Sequence, residues 1–428
     1  MKIFTKSQAM LARAEKVIPL GAQTFSKSRT QYPYGVSPYF VSHGKGSRVW
    51  DIDGNEYTDY INALASVTLG YCDPDVTAAV ETQLRKGTIF TLSTEIEIEV
   101  AERIVRMVPC AEKVRFGKNG SDATAGAVRV ARAFTGRDHI AVCGYHGWQD
   151  WYIGSTARNL GVPQAVRSLT HSWTYNDIDS LAALFATHPG AIAAIVMEPM
   201  NITEPKPGFL EEVQKLCRKN GALLVFDETI TGFRYAPGGA QEFLGITPDL
   251  ACFGKGLANG YPLAAIAGRA DVMKFMEEVF FSFTFGGEAL SLAASCATLD
   301  KVASQDVTGY LTKLGTELMA GVQGLIDKHG TQELMTSTGH PSWSFLILKD
   351  VPGCSSFHSK TLFMQEMFQR GILAYGTHNL TFAHTPEDIT DLLTVYDEVF
   401  PLMRAGALEG RMAELLRCKP LEPLFKIR

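Results

Sequence analysis

The chain has 428 residues, a 46% hydrophobic composition and a formal net charge of −5. That length can bury a large core in two lobes, or in one large domain with a smaller companion, and the acidic balance leaves no basic footprint for nucleic acid. Eight cysteines stand singly with no C-x-x-C pair, and no window of 18 or more residues is wholly apolar. The expectation is a cytoplasmic protein with reduced thiols, no membrane span, and neither a disulfide framework nor a metal site.

The opening MKIFTKSQAMLARAEKVIPLG lacks an apolar core of signal-peptide length. It reads as an amphipathic helix capped near Thr5 and stopped by Pro19 and Gly21. Residues 30 to 40, TQYPYGVSPYF, are a lid candidate. Residues 40 to 61 alternate around the turn signal Asp53-Gly54, which predicts a β-hairpin outside the main sheet.

Between 110 and 270 short apolar runs alternate with helical ones, the pattern of βαβ units and a mostly parallel sheet. The runs are HIAVCGY (139 to 145), AAIVMEP (193 to 199), ALLVFDE (222 to 228) and DLACFGK (249 to 255). Helices are expected over 122 to 134 and over 209 to 221, the second closed by Gly221. After about 305 the pattern changes to helices with short strands. The division read from these patterns is an N-terminal segment (1–60) packing with the small domain, a large domain (61–305), and a C-terminal small domain (306–428). Ligands of open α/β sheets bind beyond the carboxyl ends of the strands, so polar residues there carry the functional argument.

Five such clusters occur, each with a plainer reading beside it. In FGKNGSDATAGAVRVARAFTGR (116 to 137), Asn119, Gly120 and Ser121 lead into a helix. With Ser121 as the N-cap, this is either an ordinary helix start or a phosphate site at a helix N-terminus. In CGYHGWQDW (143 to 151), Tyr145 can stack on a flat ring that His146 orients, or both are core aromatics. Asp227 follows a buried run, so it either caps the next turn or pairs with a buried cation. Lys255 stands between glycines after another buried run. A desolvated lysine there has a lowered pKa and suits capture of an aldehyde, whereas a surface lysine would snorkel. Thr284 with Gly286 and Gly287 precedes a small-residue helix, which makes either a plain loop or a second anion nest. A P-loop reading fails because Gly256, not Ser or Thr, follows the lysine.

Taken together, N-G-S-D-A-T (119 to 124), Y-H-G (145 to 147), E-P (198 to 199), D-E-T-I-T-G-F-R (227 to 234), P-D-L-A-C-F-G-K (248 to 255) and T-F-G-G (284 to 287) resemble the class III aminotransferases. The nearest likeness is to the glutamate-1-semialdehyde aminomutase branch, and it covers nearly the whole chain. The resemblance implies a fold-type I α/β enzyme dependent on pyridoxal 5'-phosphate, with a mostly parallel central sheet, helices on both faces and a smaller α+β domain. It further implies a homodimer with sites at the subunit interface. On this likeness Lys255 holds the cofactor as a Schiff base and moves the proton, Asp227 pairs with the pyridine nitrogen, and Tyr145 stacks on one ring face. Gly120 and Ser121 hold the phosphate, joined by Thr284 of the neighbouring subunit. Thr229 stands where the family usually packs a valine against the other ring face.

The departures bear on substrate. The aminomutase branch carries an N-terminal arginine for the substrate carboxylate, where GAQTFSK offers Lys27 and so loses the bidentate fork. GTHNLTFAHT (376 to 385) lacks the arginine that many class III transaminases use for an α-carboxylate, and Glu288-Ala289 replaces the usual Asn-Pro. The expected activity is transfer of an amine from a small donor to a keto or aldehyde acceptor without a carboxylate, such as a keto or aldehydo sugar. The alternative is an intramolecular aminomutase. A non-catalytic relative would lack Lys255 or Asp227, and both are present.

Overall fold

The computed structural model describes residues 2–422. It divides into two compact units, one running from Pro74 to Gly309 and the other joining the residues up to Asp73 with those from Tyr310 onward. The sequence reading puts these cuts at 60/61 and 305/306.

The discontinuous unit begins with α1 (Thr5–Ala14), which buries Ser7, Leu11 and Ala14. Its cap is not the expected one. Thr5 is already helical, and the backbone N–H groups of Lys6 and Ser7 donate to the Asp53 carboxylate at 2.7 and 2.8 Å. A carboxylate in that place satisfies two first-turn amides and complements the helix dipole, which a threonine hydroxyl does less well. The helix also stops at Ala14, short of Pro19. Asp53 lies in the turn between β2 (Arg48–Asp51) and β3 (Glu56–Asp59), which together with β1 (Val41–Lys45) form an antiparallel ribbon outside the main sheet. Gly54 makes the turn at φ +90°, the conformation that the aspartate-glycine signal predicts.

The continuous unit contains β4 (Lys113–Gly117), α2 (Gly120–Thr135), β5 (His139–Cys143), β6 (Thr170–Ser172), α3 (Ile178–Thr187) and β7 (Ile192–Met197). After these come α4 (Phe209–Asn220), β8 (Leu223–Asp227), β9 (Leu250–Phe253), β10 (Ala264–Gly268) and α5 (Ala289–Ser304). The strand order is β4-β10-β9-β8-β7-β5-β6. Only β10 runs against its neighbours, so the other strands end at one common edge. The four strands read from the sequence are all in this sheet; β4, β6 and β10 complete it. β10 comes from the small-residue run after Lys255 and is buried throughout, which is why alanine and glycine dominate it.

Strand alternation sorts the core into two layers. Ile140, Val142, Leu223 and Val225 pack with Ala123, Ala127 and Val130 of α2 on one face. Ala141, Ile195, Leu224 and Phe226 pack with Leu181 of α3 and Val213 and Cys217 of α4 on the other. Asp227 shares the parity of Leu223 and Val225, so the sheet itself aims it toward the α2 side.

In the discontinuous unit the chain then forms β11 (Met335–His340), β12 (Trp343–Leu348), β13 (Ile372–Leu373) and β14 (Thr377–Asn379). β11, β12 and β14 make a small antiparallel sheet, while β13 pairs in parallel with β3. No helix among the described residues is long and apolar enough to cross a membrane.

Candidate active site

The common edge of the large sheet collects the polar residues that follow its strands. Asp227 ends β8 and is buried. Its Oδ2 lies 2.9 Å from His146 Nδ1, and its Oδ1 accepts from the Thr229 backbone N–H at 3.1 Å and from the Thr229 hydroxyl at 2.5 Å. These bonds compensate much of the cost of burying the carboxylate. His146 and Thr229 thus both hold the Asp227 carboxylate, Thr229 through the hydroxyl that valine lacks.

The loop carrying His146 is tied down on several sides. The Thr124 hydroxyl of α2 donates to the His146 carbonyl at 2.9 Å, and His146 Nε2 lies 3.1 Å from the Cys143 carbonyl. Glu198, just past β7, accepts from the Tyr145 backbone N–H at 3.1 Å and from Asn201 Nδ2 at 2.8 Å. Burial pushes the Glu198 carboxyl up, and the nearby Asp227 charge adds to that. Gly147 has φ +102°, and a Cβ there would stand 2.6 Å from the Ser121 Cβ, so only glycine lets the loop rest on the first turn of α2. Tyr145 itself is 52% exposed, with its ring edge-on to Tyr152, and so it presents a free face.

Asn119, not Ser121, is the N-cap of α2, with Gly120 as the first helical residue. The Asp122 carboxylate accepts from the backbone N–H groups of Lys118 and Asn119 at 3.0 and 2.8 Å. The amides of Gly120 and Ser121 lie in the first turn, where no intrahelical acceptor exists. They meet the requirement of an anion site at the positive end of a helix. Gly120 also allows a close approach: a Cβ on it would stand 2.8 Å from Thr229 Cγ2. The Thr229 methyl is thus packed between the backbones of Gly120 and Gly254 while its hydroxyl serves Asp227.

Lys255 follows β9 with φ +44°, a left-handed backbone that a lysine adopts only when its surroundings dictate it. Gly254 before it lies close to Thr229, where a Cβ would stand 3.2 Å from Thr229 Cγ2. Desolvation lowers the Lys255 amine to about 8, against the opposing pull of the Glu198 and Asp227 carboxylates. The set of an amine near neutrality, a buried carboxylate, a helix N-terminus and an exposed aromatic face fits pyridoxal phosphate: an aldehyde, a pyridine nitrogen, a phosphate and a flat ring.

Thr284 and Lys27 are the two remaining expected residues. Thr284 is on an exposed loop, and the amides that open α5 are already taken by Glu288, whose carboxylate accepts from Leu290 N–H and Ser291 N–H at 2.8 and 3.2 Å. The glutamate that replaces the usual asparagine therefore caps α5 from within the chain. Lys27 is exposed in a single 3₁₀ turn of the discontinuous unit. Glu228, next to Asp227, points the opposite way and holds the helix Ala240–Leu244 through the amides of Ala240 and Gln241.

Residues 31–340 match the family model for class-III aminotransferases. The chain is 35% identical over 411 residues to glutamate-1-semialdehyde 2,1-aminomutase of Syntrophobacter fumaroxidans (strain DSM 10017 / MPOB), covering 90% of this chain and 94% of that protein. It is 32% identical over 394 residues to 3-aminobutyryl-CoA aminotransferase of Cloacimonas acidaminovorans (strain Evry), with the same coverage of 90% and 94%. Among solved structures, the FumI protein of Sphingopyxis sp. MTA144 in its PLP internal aldimine form superposes with a TM-score of 0.88 at 32% identity, over 96% of this chain and 98% of that one. With this fold, this strand-end chemistry and these likenesses, the chain belongs to the class-III aminotransferases, fold-type I enzymes that depend on pyridoxal 5'-phosphate.

Proposed function

We propose that this aminotransferase moves an amine from a small donor to a keto or aldehyde acceptor that carries no α-carboxylate, with Lys255 as the catalytic residue. The observation that supports this role is the desolvated amine of Lys255 just past β9, within the fields of the Glu198 and Asp227 carboxylates. Bound pyridoxal phosphate supplies an aldehyde for amine exchange and a ring that takes up the electron pair released at the substrate carbon. Lys255 Nζ holds the aldehyde at rest, then removes and returns the proton at the substrate carbon. Asp227, oriented by His146 and Thr229, keeps the ring nitrogen protonated. Tyr145 covers one ring face, and Gly120 and Ser121 hold the phosphate through the α2 N-terminus.

The acceptor class rests on the missing arginines and on one relative. The 3-aminobutyryl-CoA aminotransferase acts, by its name, on an amine whose carboxyl is a thioester, without a free carboxylate. The second reading, an aminomutase, draws on the 35% identity to glutamate-1-semialdehyde 2,1-aminomutase. Single donors added to the loaded enzyme should bleach its visible cofactor band with no acceptor present, and Lys255→Ala should abolish turnover in a folded protein. Substantial turnover by that variant would sink the assignment of Lys255. Conversion of one substrate with no donor at all would select the aminomutase reading. Lys27 is assigned to a substrate carboxylate from the resemblance alone, and unchanged donor and acceptor kinetics in Lys27→Ala would remove it.

Two predictions follow from the geometry of the site. Only the neutral amine attacks a carbonyl, so the cofactor-free chain should take up pyridoxal phosphate at a rate that rises with pH and levels off above about 8. A rise that continues into the ordinary lysine range would contradict the desolvated amine. Thr229→Val keeps the shape and removes one donor to Asp227. It should lower kcat on the order of tenfold, the worth of a hydrogen bond to a charged group, with KM little changed. An unaltered kcat would mean that the hydroxyl is idle.

The exposed apolar surface supports assembly as a homodimer. Leu92 and Phe280 are 81% and 83% exposed, and Ile98 and Phe285 lie on the same unit at 62% and 57%. Exposed apolar patches of this kind mark interaction surfaces, and the Phe280 to Phe285 loop also carries Thr284, assigned to the phosphate of the neighbouring subunit. Light scattering should give twice the chain mass, and Thr284→Ala should weaken cofactor retention at unchanged mass. A monomer with full activity would exclude both. All eight cysteines are unpaired, which supports a cytoplasmic location. Recovery of the native protein from a secreted or membrane fraction would overturn it.

A further inference from the structure

His139, His171 and His188 come together at the opposite edge of the large sheet from the cofactor residues. One nitrogen from each lies within 4.8 Å of the others. His139 opens β5, His171 is the middle residue of the edge strand β6, and His188 is the C-cap of α3. His139 Nδ1 and His171 Nε2 are 2.7 Å apart, and the His171 and His188 rings are stacked at 4.1 Å. Each histidine is only partly buried, so an ion can reach them.

We propose that these three imidazoles form a binding site for a divalent transition metal, in the first instance zinc(II), with water in the fourth position. Three neutral nitrogen ligands and one open position make a common zinc arrangement, and imidazole also suits copper(II) and nickel(II). A tetrahedral zinc with bonds of 2.0–2.1 Å sets its ligand nitrogens about 3.3 Å apart. Binding therefore requires the His139–His171 pair to open from 2.7 Å, the nitrogens that stand up to 4.8 Å apart to draw in, and the stacked rings to turn toward the ion, while the proton shared by the pair shifts to the other nitrogen of its ring. A further feature favours a cation: the C-terminal end of α3, where His188 sits, carries the negative end of the helix dipole. The ligands come from three separate elements, so the ion would tie β6, the outermost strand, to β5 and α3. It would support the fold and take no part in amine transfer.

The experiment uses the cofactor-loaded enzyme, stripped of metal with a chelator and then freed of the chelator. Zinc(II) is titrated by calorimetry, and the melting temperature is recorded with and without it. The wild type should bind one zinc more per chain than His171→Ala or His188→Ala, and zinc should raise its melting temperature. Loss of a ligand should weaken this binding by at least the 10–100-fold that loss of a supporting hydrogen bond costs a metal site. The cofactor band and amine-transfer rate should be unchanged in the variants. Should His171→Ala fail to fold, His188→Ala, at a helix end, carries the test. Equal zinc stoichiometry and affinity in the wild type and a folded variant would overturn the proposal and leave the cluster as packed imidazoles joined by a hydrogen bond.

Discussion

A carboxylate buried at the end of a central strand is the constraint around which the active site is built. Left alone, Asp227 would destabilise the sheet, since an unpaired buried charge is costly. Three donors from two loops prevent this. Each donor brings its own requirements. His146 must be held by Thr124 and by the Cys143 carbonyl, Gly147 must be bare so that the loop can lie on α2, and Gly120 must be bare so that Thr229 can fit. The site is accordingly a set of mutually dependent contacts, in which the Asp227 carboxylate is fixed before any ligand arrives. Such preorganisation spares reorganisation during the reaction.

Lys255 shows the complementary arrangement. Its left-handed backbone is a local strain of about 1–3 kcal/mol that the surrounding fold must hold in place. The same region desolvates the amine, which brings it close to neutral pH, where a group that both takes and gives a proton is most effective. Glu198 acts from the other side. It opposes the lowering of the lysine and anchors the Tyr145 loop, so one residue links the amine's charge to the position of the aromatic face.

The sequence made Asp227 and Lys255 visible because each breaks a buried apolar run, where a charged residue is unexpected without a purpose. Four of the seven strands of the large sheet were legible for the same reason, as uninterrupted apolar stretches. The partners of those residues were not legible. His146 meets Asp227 only because the strand order sets β5 and β8 on either side of β7, and nothing local to CGYHGW encodes that order. The capping errors have a different cause. Thr5 and Ser121 are good caps by residue type, but Asp53 and Asn119 were already in place, one through a distant turn and one a single step upstream. Glu288 shows the same limit, since its capping of the Leu290 and Ser291 amides is not a feature that the glycine-rich loop before it announces. The three histidines at the far edge stand on separate elements and have no spacing that a motif could express.

The pairing of β3 with β13, and the bond from the Lys2 amide to the Gln369 side chain across 367 residues, bear on the order in which the protein is made. The unit from Pro74 to Gly309 is continuous and has all its strands once the ribosome has passed it. The residues up to Asp73 emerge before that unit, yet their ribbon lacks its fourth strand until residue 373 has been synthesised. Closing so long a loop adds only slowly to the entropic cost, but it delays the contact. The N-terminal segment therefore waits, with its apolar face uncovered, for the C-terminal strands. During that interval a nascent chain depends most on chaperones, and premature termination near the C-terminus would strand the N-terminal ribbon as well as the missing end.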